Sequence, residues 1–109
     1  MDQKRLGEIL AAHKAWLEGK PEGHKADLRG ANLWRADLRG ANIDYACWPL
    51  WCGSLDVKVD ARIAAQLAYH FCCLNCDDPD YIAARNAIID FANTFHRAEE
   101  CGKLEPVAR

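Results

Sequence analysis

What this chain lacks narrows its reading first. No apolar run is long enough to span a bilayer, and no secretory hydrophobic region follows Met1, so the sequence predicts a soluble, cytoplasmic protein without membrane contact. Neither sign of charge dominates: 14 Lys and Arg stand against 16 Asp and Glu, a formal net charge of −2. That balance gives no basic footprint for nucleic acid and no acidic stripe for DNA mimicry. Glycine-rich phosphate loops, G-x-S-x-G and H-E-x-x-H are all missing, and the chain is read as a non-enzyme. Six cysteines would permit three disulfides, but without a secretory signal reduced thiols are expected. A length of 109 residues, half of them apolar, suits one domain with a sizeable core.

What is present is a period of five. Residues 26–50 read Ala-Asp-Leu-Arg-Gly, Ala-Asn-Leu-Trp-Arg, Ala-Asp-Leu-Arg-Gly, Ala-Asn-Ile-Asp-Tyr and a degraded Ala-Cys-Trp-Pro-Leu. A strict period signals one structural unit used repeatedly. Five fits neither a helix nor a strand. On a helix, Leu28, Leu33, Leu38 and Ile43 would each be rotated by about 140° from the last. On one strand they would alternate between faces. The pattern is satisfied if the chain bends every five residues and each short side points one Ala and one Leu at a common axis. Asp and Asn suit the bends because their side chains bond nearby backbone.

The register A-[D/N]-L-x-x resembles that of the pentapeptide-repeat proteins. The resemblance implies a right-handed quadrilateral β-helix with four five-residue sides per coil. It gives the chain an α+β class: about one coil, capped by an N-terminal helix and a C-terminal helical hairpin. A single coil leaves its interior open at both ends, so the flanking segments are expected to cap it.

Those flanks are read from periodicity. Residues 2–19 form an amphipathic helix through Leu6, Ile9, Leu10, His13, Trp16 and Leu17, with Asp2 as N-cap. Residues 51–60 hold a turn and a short half-exposed strand in which Leu55, Val57 and Val59 alternate with polar residues. Residues 61–102 form a helical hairpin. Its second helix starts at Asp78-Pro79, runs to about Cys101 and stops at Gly102. Residues 103–109 are a mobile tail.

Candidate binding residues are the aromatic and cationic ones. Trp48 and Trp51 flank Pro49-Leu50, and such a turn either buries both rings or presents them as a patch. Trp34, Arg35 and Arg97 complete the binding candidates. Arg29 and Arg39 stand ten apart, on opposite sides of a coil, and cannot form one patch. The less favoured chemistry lies in the cysteines. Cys73-x-x-Cys76 gives one pair at zinc-ligand spacing, with Cys47 and Cys52 a loose second. Reduced cysteines acting as small buried hydrophobes are the plainer reading, and no cofactor is expected. His96 and Cys101, at the far end of the last helix, should stand away from the Cys73–Cys76 pair. A nucleophilic Cys52 beside His70 or His96 would need an orienting third group, which the sequence does not show.

The wider layout also resembles small pentapeptide-repeat proteins of bacteria and their phages or prophages. The matching segments are His13-Lys14-Ala15-Trp16-Leu17-Glu18-Gly19, the Pro49-Leu50-Trp51-Cys52-Gly53-Ser54 turn, and Phe95 to Gly102. The resemblance implies a binder or inhibitor rather than a catalyst. The long acidic solenoids that protect gyrase are members, but one coil and near-neutral charge set this chain apart from them. The expectation is a phage or prophage counter-defence factor, directed at CRISPR or at immune signalling. It would act on a host protein or a nucleotide signal, and self-association is open.

Overall fold

The computed structural model describes residues 1–107, so the last two residues of the expected tail lie outside the described residues. The chain forms two compact units, Met1–Asp60 and Ala61–Arg109.

The first unit begins with helix α1, Gln3–Leu17, whose N-cap Asp2 accepts from the Arg5 amide at 2.7 Å. From residue 26 the chain turns every five residues. The amides of Ala31, Ala36, Ala41 and Ala46 donate to the carbonyls of Leu28, Leu33, Leu38 and Ile43 at 2.8–3.0 Å, closing four successive β-turns. The repeated Asp or Asn sets each bend. The side chains of Asp27, Asn32, Asp37 and Asn42 each accept the amide two residues on, at 3.0–3.2 Å. The result points inward: Leu28, Leu33 and Leu38 are fully buried and Ile43 nearly so. Burying each Leu contributes roughly 1.5–3 kcal/mol.

The expected α+β class with a quadrilateral β-helix does not form. Among the described residues there is no strand and no sheet, and the regular structure consists of four α-helices and one 3₁₀ turn, Cys52–Ser54. The turns do bring the chain back beside itself, but only as two isolated parallel bridges, Asp27 with Cys47 and Asp37 with Lys58. The reason lies in the unit length. Two of every five residues sit inside a turn and a third closes the bend, which leaves too short a straight run for a ladder. The strand expected within 51–60 shrinks to the single bridge at Lys58.

Helix α1 is pinned to the turns by two side chains. Gln3 pairs both its amide atoms with the backbone of Asp37, each bond at 3.0 Å. His13 is fully buried. Its Nδ1 accepts the Ala26 amide at 3.0 Å, so Nε2 carries the proton and donates to the Asp44 carbonyl at 2.8 Å. One imidazole thus ties the first repeat to the fourth.

The second unit contains α2, Ala61–Cys72, α3, Pro79–Ala92, and α4, Ala98–Cys101. Asp78 caps α3 by accepting the amides of Asp80 and Tyr81, and Pro79 opens it. The α2–α3 hairpin is latched by Tyr81, whose hydroxyl donates to the Phe71 carbonyl at 2.7 Å, and by Arg85, whose Nε donates to the Cys72 carbonyl at 2.8 Å. The long helix expected to reach Cys101 breaks after Ala92. Thr94 turns its hydroxyl back onto the Phe91 carbonyl at 2.7 Å. Phe95 leaves the helix path to join a buried cluster with Tyr69, Cys72, Ala92 and Ala98. Residues 103–107 are not a loose tail but lie against α3, held by Arg85, Asn86 and Asn93.

Candidate functional site

Two neighbouring runs of the first unit carry most of its exposed apolar surface. The Leu33 amide donates to the Gly53 carbonyl at 2.7 Å and the Arg35 amide to the Asp56 carbonyl at 2.9 Å, which sets residues 33–35 beside 53–56. Trp34 therefore lies level with Leu55, and these two side chains are 55% and 60% exposed. Trp51 donates its indole N–H to the Ala31 carbonyl at 3.1 Å, which fixes its ring while half of it faces water. Leu50, next along the chain, is 94% exposed. Buried Pro49 holds the chain in place beside it. The turn that the sequence left open, buried or displayed, displays Trp51 and half-buries Trp48.

Arg35 stands over this strip. Its guanidinium carbon lies 4.2 Å from the centre of the Trp34 ring, within cation–π range. Its Nε meets the Asp56 carboxylate at 3.3 Å. Arg35 also adopts φ 61°, a left-handed conformation that costs a non-glycine residue roughly 1–2 kcal/mol. The equivalent position one unit after Arg35 and one before Tyr45 is Gly40 at φ 82°, where no such cost arises.

The remaining repeat arginines are neutralised locally. Arg29 grips Asp27 through Nε at 2.8 Å and Nη2 at 2.6 Å, and Arg39 grips Asp37 at 2.9 and 2.8 Å in the same way. The Arg29 pairing holds the Asp27 carboxyl down at about 2, and the Arg39 pairing holds Asp37 lower than its ordinary value by the same cause.

Residues 24–47 match the family model for pentapeptide repeats (8 copies). This chain carries pentapeptide repeats. The matched 24 residues hold just under five units of five, fewer than the eight copies the model describes. No curated protein and no solved structure matches the chain.

The other residues singled out from the sequence lie away from the strip. Arg97 belongs to the second unit, half-buried, with Nη2 on the Glu100 carboxylate at 2.9 Å. All six cysteines are unpaired thiols, and only Cys72 is buried, so the expectation that they serve as small core hydrophobes holds for that one alone. Burial pushes the Cys72 thiol up. Cys73 and Cys76 are both exposed. No three His, Cys, Asp or Glu side chains are arranged to hold a metal among the described residues. The break after Ala92 returns the chain to Tyr69, whose hydroxyl donates to the Gly102 carbonyl at 2.6 Å. That hydroxyl is pushed up chiefly by burial, then by Cys73, with Cys101 also contributing.

α1 and the turns leave an open groove of about 570 Å³ edged by Gln3, Leu10, Lys14, Arg39 and Asn42, none of them in the strip. Sequence reasoning did not find Leu50 and Leu55 as surface residues. The signal for Leu50 was its place in the unit: it takes the fifth position, which Gly30, Arg35, Gly40 and Tyr45 hold exposed in the units before it. No helix is long and apolar enough to cross a membrane among the described residues.

Proposed function

We propose that this chain is a non-catalytic binding protein that engages a partner protein through Trp34, Arg35, Leu50, Trp51 and Leu55. One observation carries the reading: apolar side chains between half and almost fully exposed sit together on two neighbouring runs of a rigid, turn-braced segment. The aromatic–arginine pair adds to it, since Trp and Arg dominate interface energetics. Arg35 keeps a strained conformation that glycine would relieve, which is sensible if its side chain is needed.

The finer reading is a phage or prophage counter-defence factor, anti-CRISPR or acting against immune signalling, in the host cytoplasm. Its support is the resemblance in layout noted above, together with the small size. Between a host protein and a nucleotide signal, the ion pairing favours the protein. Arg29, Arg35, Arg39 and Arg97 each already meet a carboxylate of this chain, so a phosphate would have to displace it.

The test is affinity isolation from bacterial lysate with the wild type and with a Trp34→Ser, Leu50→Ser variant, read by native mass spectrometry. The expected result is a stoichiometric protein partner on the wild type that the variant loses, at unchanged thermal stability. Equal retention by both, a bound nucleotide, or only a second copy of the chain would overturn the reading.

A further inference from the structure

The second unit carries an unusual arrangement that the strip does not involve. Residues 103–107 leave Gly102 and run antiparallel to α3, and their contacts are made almost entirely through backbone. Asn93 donates Nδ2 to the Leu104 carbonyl at 2.9 Å and accepts the Leu104 amide on Oδ1 at 2.8 Å. Asn86 repeats this at Val107, donating at 2.8 Å and accepting at 2.9 Å. Arg85 adds Nη1 to the Glu105 carbonyl at 2.9 Å. A carboxamide facing a peptide group in this way reproduces the two-bond pairing of adjacent strands.

The spacing is matched on both sides. Asn86 and Asn93 stand seven residues apart, two helical turns, which span about 10.5 Å. Residues 104 and 107 are three apart on extended chain, which spans about 10 Å. Side chains add one contact: Leu104 packs against the Tyr69, Cys72, Ala92, Phe95 and Ala98 cluster. Glu105, Pro106 and Val107 point to water. Such a track reads an extended backbone and one aliphatic side chain, and little else.

We propose that Arg85, Asn86 and Asn93 form a docking track for an extended peptide segment of another protein, with an aliphatic residue in the Leu104 position. Residues 103–107 occupy the track as a displaceable placeholder. Three features argue for displacement. The segment follows Gly102, at φ 115°, whose own amide and carbonyl are held by Ala98 and Tyr69, so the chain can part just beyond an anchored residue. Most of its side chains are exposed. Its bonds are ones that any extended peptide can make, which is how added strands gain affinity without dictating most of the sequence. The tethered segment competes at an effective concentration on the order of millimolar, so its release unmasks binding in trans.

The probe is a fluorescein-labelled peptide of residues 102–107, titrated by anisotropy into full-length protein. Leu104→Asp weakens the resident segment and should bind the probe at least about tenfold more tightly than wild type. Adding Asn93→Leu, which keeps the volume and removes the amide, should abolish that gain. A folded Leu104→Asp variant that binds no probe overturns the proposal. So does one that unfolds, because the segment would then be integral to the fold. In the wild type, the amides of Leu104 and Val107 should exchange hydrogen faster than those of Ile89 and Ala92, and equal protection contradicts displacement. A concentration-dependent wild-type dimer that Leu104→Asp dissolves would assign the track to a second copy instead.

Discussion

His13 does the most structural work of any single side chain in the first unit. Both ring nitrogens are bonded, to Ala26 and Asp44, and the ring stacks on Trp16 with centroids 5.7 Å apart. His13→Ala leaves a buried amide and a buried carbonyl without partners and opens a cavity. It should cost about 3–5 kcal/mol, read as a lowered denaturation midpoint at unchanged m-value. The Asp27–Arg29 and Asp37–Arg39 pairs act at the surface and are tested by acid. Asp27 titrates at about 2 in the folded chain against an ordinary 3.8. A depressed carboxylate contributes stability that is fully present above its unfolded value and fades as pH falls through its folded one. The thermal midpoint of the wild type should therefore fall between pH 4 and about 2 by more than that of an Asp27→Asn, Asp37→Asn variant. Because both pairs are exposed, about 0.5 M salt should shrink the difference. Equal acid sensitivity at low salt would show that the pairs contribute nothing.

At the scale of the element, the repeat is a series of similar bends with different backbones, and two glycines separate them. Gly40 sits at φ 82°, whereas Gly30 has an ordinary negative φ, and a methyl group at either would meet nothing within 4 Å. Gly40→Ala should then destabilise by about 1–2 kcal/mol, and Gly30→Ala should be neutral or stabilise by up to about 1 kcal/mol. Paired urea melts check both, and equal effects would contradict the turn assignments. These bends were legible in the sequence because a short polar residue two before each turn has one dominant local use, and the Leu that follows it has nowhere to go but inward. The missing sheet was legible in the same period, since two residues inside each turn and a third closing it leave only a short straight run in every five, and the resemblance to β-helical proteins outweighed that count. The break after Ala92 was hidden. Helical periodicity continues through Phe95, and only the pull of the Tyr69 cluster, a contact distant in sequence, takes that ring off the helix. Asn86 and Asn93 looked like ordinary helix-surface residues until residues 103–107 were seen lying against them.

For the whole molecule, the division of labour follows the two units. The first provides a rigid, turn-braced display of Trp34, Arg35, Leu50, Trp51 and Leu55. The second provides a helical hairpin with a strand-like segment along α3. The candidate site was half legible: Trp34, Arg35 and Trp51 stood out by residue type, while Leu50 and Leu55 emerged only from exposure. Trp48 and Arg97, equally conspicuous in the sequence, are half-buried instead. The binding account rests on the strip, and hydrogen exchange of the protein with and without its isolated partner tests it most directly. The account predicts slowed exchange confined to residues 31–35 and 50–56. Slowed exchange along α2 and α3 or in α1, with those two runs unchanged, would contradict it.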